Sequence, residues 1–361
     1  MRYRIFDKRY KYFYYFDTEN GNYIRTGIID EKGKDTGIDP FMGSFPHLID
    51  IGIMGHCIHG KTGLCIMSGV ECYQDGLNIV KDNMSLENFK WIIKQCERKT
   101  NQVALGGRGD PDQHENFEEI IKECRKYNII PSYTTSGLGL TKELAELSKE
   151  YCGAVAVSWY RSDHTIKAIN RLLEIGVKTS IHYVLANNSI DEAIDRLKND
   201  TFPKGITTLI FLLHKPKGLG SQRNVLKVED PRVKELMNII DNKILPFQVG
   251  FDSCTVPALH NFTKNILIES IEPCEGARFS CYISDDMIMT PCSFDTERDF
   301  GVKLGGENTI TKVWNSETFD KFRYQLKHRC PTCKIRKDCM GGCPLMKEIV
   351  ICNKEEMNLD V

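Results

Sequence analysis

No run of about 18 apolar residues occurs anywhere in the 361 residues, so the sequence offers no candidate for a membrane-spanning helix. Net charge is nearly absent too. Lys and Arg total 48 against 49 Asp and Glu, a formal −1, which excludes the global basic field that draws nucleic acid or a membrane surface. The start, MRYRIFDKRYKYFYYF, scatters charges among its aromatics and lacks the apolar centre of a signal peptide. The expectation is a soluble, cytoplasmic protein with no membrane and no nucleic-acid partner. Nucleotide-binding motifs are missing as well. There is no P-loop, and Gly106-Gly107-Arg108-Gly109-Asp110-Pro111 lacks the spacing of a dinucleotide fingerprint.

What the chain has in excess is cysteine, 15 in all. An odd number, clustered, in a chain without an export signal argues for metal ligands over disulfides. Three read as inert small hydrophobes on buried helix faces. Cys96 keeps helical step with Phe89, Ile92 and Ile93, Cys124 with Phe117, Ile120 and Ile121, and Cys152 follows Leu144 and Leu147. Cys57, Cys65 and Cys72 follow the apolar run Leu48–Met54 at C-x7-C-x6-C. Three thiolates on a loop behind a buried strand can hold three irons of a four-iron cube and leave the fourth open to a small chelating molecule. The same three with His56 or His59 equally suit zinc, and unrelated thiols are the third reading. Near the end, CPTCKIRKDCMGGC is C-x2-C-x5-C-x3-C over Cys330, Cys333, Cys339 and Cys343, a pattern that fits a zinc ribbon or an iron-sulfur centre.

The chain divides into three parts. Residues 1–47 read as an aromatic-rich β-hairpin extension turning at residues 17–22. Its edge is expected to cover the edge of the protein's own sheet, or to accept an extended peptide by β-addition. Residues 48–253 alternate seven short apolar strands with six amphipathic helices, one opened by a capping box at Ser189-Ile190-Asp191-Glu192. Right-handed βα repeats predict an α/β fold, a parallel sheet forming a partial (β/α)6 barrel. Ligands of such sheets bind at the strands' carboxyl ends. The inventory there is the three-cysteine loop, GGRGDP, Thr134–Gly137, Ser158–Arg161, Asn187-Asn188, His214–Lys217 and Asp252–Cys254. Residues 254–361 lose the alternation and carry Cys254, Cys274, Cys281, Cys292, Cys330, Cys333, Cys339, Cys343 and Cys352.

This combination resembles the radical S-adenosylmethionine (radical SAM) enzymes with a C-terminal SPASM domain, over about Leu48 to Cys352. The SPASM signature reads here as Cys274, Cys292, the four-cysteine run, and Cys352. Two departures stand out. Most of the family has C-x3-C-x2-C where this chain has C-x7-C-x6-C, with Tyr73 in the usual place after the third cysteine but Glu71 before it. Longer loops can still converge three sulfurs, because doubling a loop's length costs only about 0.6 kcal/mol more. Met287 also stands where the signature has a turn glycine.

The resemblance implies the following roles. Cys57, Cys65 and Cys72 hold the radical cluster, and Gly106, Gly107, Gly109 and Asp110 receive the methionine ammonium of S-adenosylmethionine. Ser136, Ser158, Asn187 and Tyr73 lie around the same cofactor. Of two auxiliary clusters, one is held by Cys330, Cys333, Cys339 and Cys352, the other by Cys274, Cys292 and Cys343. The fourth ligand of the latter is Cys254, with Cys281 or a substrate-binding vacant iron as alternatives. The cofactors are thus S-adenosylmethionine and three [4Fe-4S] clusters.

The implied chemistry is reductive cleavage of S-adenosylmethionine to a 5′-deoxyadenosyl radical that takes a hydrogen from substrate. The implied substrate is a ribosomally made precursor peptide that receives a cross-link such as a thioether, and the implied electron donor is a low-potential carrier such as flavodoxin or ferredoxin. An oxidase of protein side chains, like the anaerobic sulfatase-maturing enzymes, is a second reading. A non-catalytic zinc-binding or electron-transfer protein is the third. For an acid or base, the strand-end residues Asp252, Tyr160, His182, His214 and Lys217 are candidates.

Overall fold

The computed structural model describes residues 2–19 and 21–353. Among them the strands form two sheets. The first is antiparallel, from β1 (Arg2–Asp7), β2 (Tyr12–Asp17) and β3 (Tyr23–Arg25). Where the sequence suggested one hairpin there are therefore three strands, β1 having been hidden by its alternating charges. Asn20, inside the expected turn, lies outside the described residues. Alternation sends Tyr12, Tyr14 and Phe16 inward, where the two tyrosines pack with Phe279 of the cysteine-rich region. This sheet does not pair with the large one, so the expected covering of its edge is corrected.

The large sheet contains the barrel strands β4 (Leu48–Met54), β5 (Gln102–Gly107), β6 (Ile130–Thr135), β7 (Val155–Ser158), β8 (Thr179–Leu185), β9 (Thr208–Leu213) and β10 (Gln248–Phe251), side by side and parallel. Between β4 and β5, the cysteine loop contributes the single turns α1 (His59–Thr62) and α2 (Leu64–Met67), and helix α3 (Leu86–Cys96) follows. The other crossovers are α4 (Phe117–Lys126), α5 (Lys142–Tyr151), α6 (Asp163–Ile175), α7 (Ile190–Asn199) and α8 (Pro231–Asn242). Their starts follow capping rules. Ser85, Thr141 and Ser162 each accept a backbone N–H three residues on, and Asp230 precedes a proline at the first helical position. Ser189 departs from its expected capping box. Its hydroxyl accepts from Ala186 N–H and donates to the Val184 carbonyl, while Glu192 binds Trp159, Tyr183, Arg161 and Arg196.

On β4, Ile49, Ile51 and Ile53 are buried toward the helices, while the alternate Asp50 and Gly52 face the barrel lumen. Helical periodicity buries Cys96 of α3 and Cys124 of α4 fully in the main core, as their spacing predicts, whereas Cys152 caps the end of α5, half-buried against that core.

The sheet runs on into the cysteine-rich region. After α9 (Val256–Phe262), strand β11 (Ser280–Ile283) adds parallel to β4, and β12 (Ile288–Thr290) and β13 (Val302–Lys303) follow antiparallel. Met287 takes a left-handed φ of 61° in the β11–β12 turn, so the hairpin forms without the glycine. Helices α10 (Ile310–Trp314), α11 (Glu317–His328) and α12 (Arg336–Cys339) follow, and a single 3-10 turn at Lys347–Ile349 comes after them. No helix among the described residues is long and apolar enough to cross a membrane.

Candidate active site at the carboxyl ends of the barrel strands

Strand ends set the site. A cavity of about 430 Å3 opens at the carboxyl side of β4 to β10, and Cys57, Cys65 and Cys72 all line it. The loop that carries them is tied down at both ends. The buried Arg108 guanidinium donates to the Gly55 carbonyl (3.2 Å) and to the Gln74 carbonyl (3.4 Å), just before the first cysteine and just after the third. Asp285 of the β11–β12 turn balances it at 3.3 Å. Glu71, the odd residue before Cys72, accepts from the Ser221 backbone N–H (2.7 Å) and pins the loop to the segment after β9. Burial, opposed by a backbone hydrogen bond and reinforced by the neighbouring acidic groups, lifts the Cys57 thiol to about 11, and burial raises Cys65 likewise. Such thiols stay protonated at neutral pH until a cation replaces the proton.

Around the same cavity stand Tyr73, Gly106, Gly107, Gly109, Asp110, Ser158, Tyr160, His182 and Asp252. The space above Gly106 is open to 4 Å, so its backbone edge is exposed to a ligand. Gly107 has φ of +100°, a region closed to L side chains, and a methyl there would also stand 3.0 Å from Gly52 Cα. Gly109 instead packs against the cysteine loop, where a methyl would stand 2.4 Å from the His56 carbonyl oxygen. Asp110 accepts from Ser136 N–H (2.9 Å) and Ser136 Oγ and lies 3.5 Å from His59 Nε2.

Four expected residues lie elsewhere. Ser136 is fully buried and serves Asp110. Asn187 donates to the Arg223 carbonyl and accepts from Arg232, outside the cavity wall, because the turn after β8 folds toward α8. His214 is occupied by the Ser221 carbonyl at 3.1 Å, and Lys217 sits 3.9 Å from Glu297. Neither lines the cavity. Asp252 lines it but is engaged: it accepts from Leu213 N–H, Thr255 Oγ1 and the buried Lys215 ammonium. Those bonds occupy both of its oxygens, so it serves the strand end and Lys215 rather than standing free on the cavity wall. Tyr160 is half-buried with its phenol pushed up by desolvation, and burial pushes His182 down to about 4.

A second cavity, about 510 Å3, is lined by Cys254, Cys274, Cys281, Cys292 and Cys343 and shares Asp50, Asp252, Ser293 and Phe294 with the first. Cys254 interacts directly with Cys343, and it faces Cys274 and Cys292. Cys281 sits on the buried β11 opposite Ile49, with Cys96, Asp50 and Arg323 near it. Lys215, 3% exposed, supplies positive charge beside Cys254 and Cys343, with its ammonium 4.4 Å from the Phe294 ring centre. Burial, with repulsion from Glu275, lifts the Asp50 carboxyl to about 7 although the cavity leaves part of it open.

The remaining four cysteines form a third group. Cys330, Cys339 and Cys352 are buried together with Val256 and Val350, and Cys333 packs on them, half-buried. Arg329, 7% exposed, gives one nitrogen to the Cys343 carbonyl (2.6 Å) but leaves Nε and Nη2 buried without a hydrogen-bond partner. An unpaired buried cation costs several kcal/mol, roughly, unless an anion is supplied. A four-iron cluster carried by four thiolates is such an anion. Among the described residues, no three His, Cys, Asp or Glu side chains form a group that could hold a single metal ion. The cysteines nevertheless gather at three places, and sulfur donors of this kind suit thiolate-bound iron. Arg108, Lys215 and Arg329 escaped the sequence reading because nothing local distinguishes an inward Arg or Lys from a solvated one; only Arg108, inside the glycine-rich turn, had a signal.

No family model matches the chain. Solved structures do. Streptococcus suis SuiB bound to precursor peptide SuiA aligns with a TM-score of 0.63 at 15% identity, covering 86% of this chain and 77% of that one. SuiB bound to S-adenosylmethionine aligns at 0.61 and 17%, covering 84% and 74%. Native anSMEcpe with bound AdoMet aligns at 0.56 and 16%, covering 87% and 93%. Likeness at this level of identity speaks to architecture alone: the chain has the fold of SuiB and anSMEcpe, with the open barrel of parallel strands expected from its βα repeats.

Proposed function

We propose that this protein is a radical SAM enzyme that modifies a ribosomally made peptide, forming a cross-link such as a thioether. The observation that carries this reading is the convergence of Cys57, Cys65 and Cys72 with the open backbone of Gly106 and with Ser158 on one cavity at the strands' carboxyl ends. The structures it resembles include SuiB with a precursor peptide and anSMEcpe with AdoMet and Cp18Cys peptide.

A four-iron cluster on the three thiolates, when bound, supplies the electron that cleaves the sulfonium of S-adenosylmethionine. The protein's own part is positioning and exclusion. Gly106 and Gly107 let backbone approach the cofactor's amino acid end, and Ser158, at the end of β7, meets its polar groups. Arg108 holds the cysteine loop closed. The half-buried Tyr160 and Tyr73 line the cavity and narrow its access to water, which protects a reactive intermediate. Asp50, with its carboxyl near 7 and its position on the wall common to both cavities, would take a proton that a substrate loses there, and Cys254, Cys274, Cys292 and Cys343 would hold the group that accepts the accompanying electron. Lys215 and Arg329 balance the charge of the thiolate groups behind it.

Anoxic purification tests this. We expect about twelve irons per chain, four for each of three clusters, and release of 5′-deoxyadenosine on reduction with S-adenosylmethionine. Cys57→Ala should keep about eight irons and release none. Colourless, zinc-loaded protein would establish a non-catalytic metal protein instead.

A further inference from the structure

We infer that the exposed face made by the last turns of α11 and the Cys330–Cys339 loop docks a small acidic one-electron carrier protein, which delivers electrons to the cofactor held by Cys330, Cys333, Cys339 and Cys352. The inference rests on the proposed function for that cofactor, and it adds where the donor binds.

Charge is the first argument. From Lys327 to Lys347 there are six Lys and Arg residues and one acidic residue, Asp338, in a chain whose formal net charge is −1. Arg329 turns inward. Lys327, Lys334 and Lys337 are exposed and Arg336 is half-buried. No ion pair among the described residues neutralises any of these four. Arg336 donates to the Lys327 carbonyl, which brings the loop's basic residues beside the end of α11.

Composition is the second argument. Tyr324 is 62% exposed, and its ring stacks on His328 at 3.9 Å between centres, 25° apart. An exposed aromatic within a basic rim matches the residues that anchor protein interfaces.

Position is the third. Cys333 is half-buried between the exposed Thr332 and Lys334, so the edge of a cofactor there comes close to solvent. Inward, the chain passes from Cys339 to Cys343 in four residues, and Arg329 bonds the Cys343 carbonyl. Cys343 lines the second cavity, which shares a wall with the first. None of Tyr324, Lys327, His328, Lys334, Arg336 and Lys337 lines a cavity described above. A peptide undergoing modification has to reach the Cys57 cavity, which disfavours it as the occupant here. One electron leaves the reduced carrier, which is oxidised by one equivalent. It enters the cofactor at the four thiolates, which is reduced by one, and no atom moves.

The test uses the anoxically reconstituted full chain, a purified acidic flavodoxin, and the variant Lys334→Glu/Lys337→Glu, with Tyr324→Ala beside it. Binding is measured calorimetrically at low salt and at about 0.3 M salt, where charges more than about 6 Å apart are largely screened. We expect the double variant to bind flavodoxin at least tenfold more weakly at low salt, with the gap closing at high salt, while iron content stays unchanged. Flavodoxin-driven cleavage of S-adenosylmethionine should fall at least tenfold, and dithionite-driven cleavage should not change. Unaltered flavodoxin binding overturns the inference, and so does a loss confined to binding of the precursor peptide. If the unmutated protein cleaves nothing even with dithionite, the proposed function fails, and the binding comparison still decides whether this face takes the carrier.

Discussion

His47 shows how much one buried side chain can set. Tyr12 Oη lies 3.2 Å from its Nε2 and Tyr23 Oη 2.6 Å from its Nδ1, and burial pushes it down to about 3, with Asp7 opposing and Arg25 assisting. The unfolded chain takes up a proton near 6.5 while the folded one does not, so stability is present above about 6.5 and is lost as pH falls toward 3, by at most about 5 kcal/mol. Urea unfolding followed by tyrosine fluorescence from pH 7 to 4 should show this fall, and His47→Gln should flatten it. Gly109 is the second residue whose effect exceeds its size. Gly109→Ala puts a methyl against the His56 carbonyl, one residue from Cys57. The loop must shift, and we expect roughly four irons per chain to be lost while the other eight stay, counted by iron assay. Ser158 and Asn187 mark the limit of reading at this scale. Both are polar residues just past a strand, yet only Ser158 lines the cavity, because Asn187 is drawn off by Arg232, 45 residues away.

Single elements follow local rules until a distant partner intervenes. The glycine-rich turn after β5 was legible as a place of close approach, but its Arg108 is a clamp, and the partner that makes it one, Asp285, lies in another region. Removing one member of a buried pair leaves an uncompensated charge. Arg108→Met should therefore cost about 3 kcal/mol, and Arg108→Met/Asp285→Asn should recover part of that loss, as a double-mutant cycle on urea midpoints will show. The β11–β12 turn sets two effects against each other. Met287 at φ 61° is strained by about 1 to 2 kcal/mol, which glycine would relieve. Its side chain, 6% exposed, lies in the core, where truncation costs about 2 to 5 kcal/mol. Packing wins, so Met287→Gly should lower stability by about 1 to 3 kcal/mol, measured as a shift in urea midpoint at unchanged slope. The capping box at Ser189 failed for the same kind of reason: Glu192 finds Trp159 and two arginines, stronger partners than a helix-end N–H.

At the scale of the molecule, the parallel sheet does not end with the barrel. Strand β11 of the cysteine-rich region covers the edge of β4, and Trp314, Phe319 and Phe322 of that region belong to the main core. A chain ending at residue 253 would expose both an unpaired strand edge and apolar surface. It should sediment as aggregates when the full chain stays dispersed at equal concentration. The two adjoining cavities depend on the same continuity, since Ser293 and Phe294, from beyond β12, close a wall that Asp50 and Asp252 begin.

The alternation of strands and helices, the inert Cys96 and Cys124, and the places where ligands can enter were all legible in the sequence. Periodicity and strand ends are local properties, and burial of an apolar stripe has few solutions. Tertiary structure decided which cysteines face one another, which strand-end polar groups reach the cavity, and which arginine or lysine is turned inward. Those outcomes depend on partners tens to hundreds of residues apart, and in a buried, low-dielectric site the partner, not the residue type, sets a side chain's charge and direction.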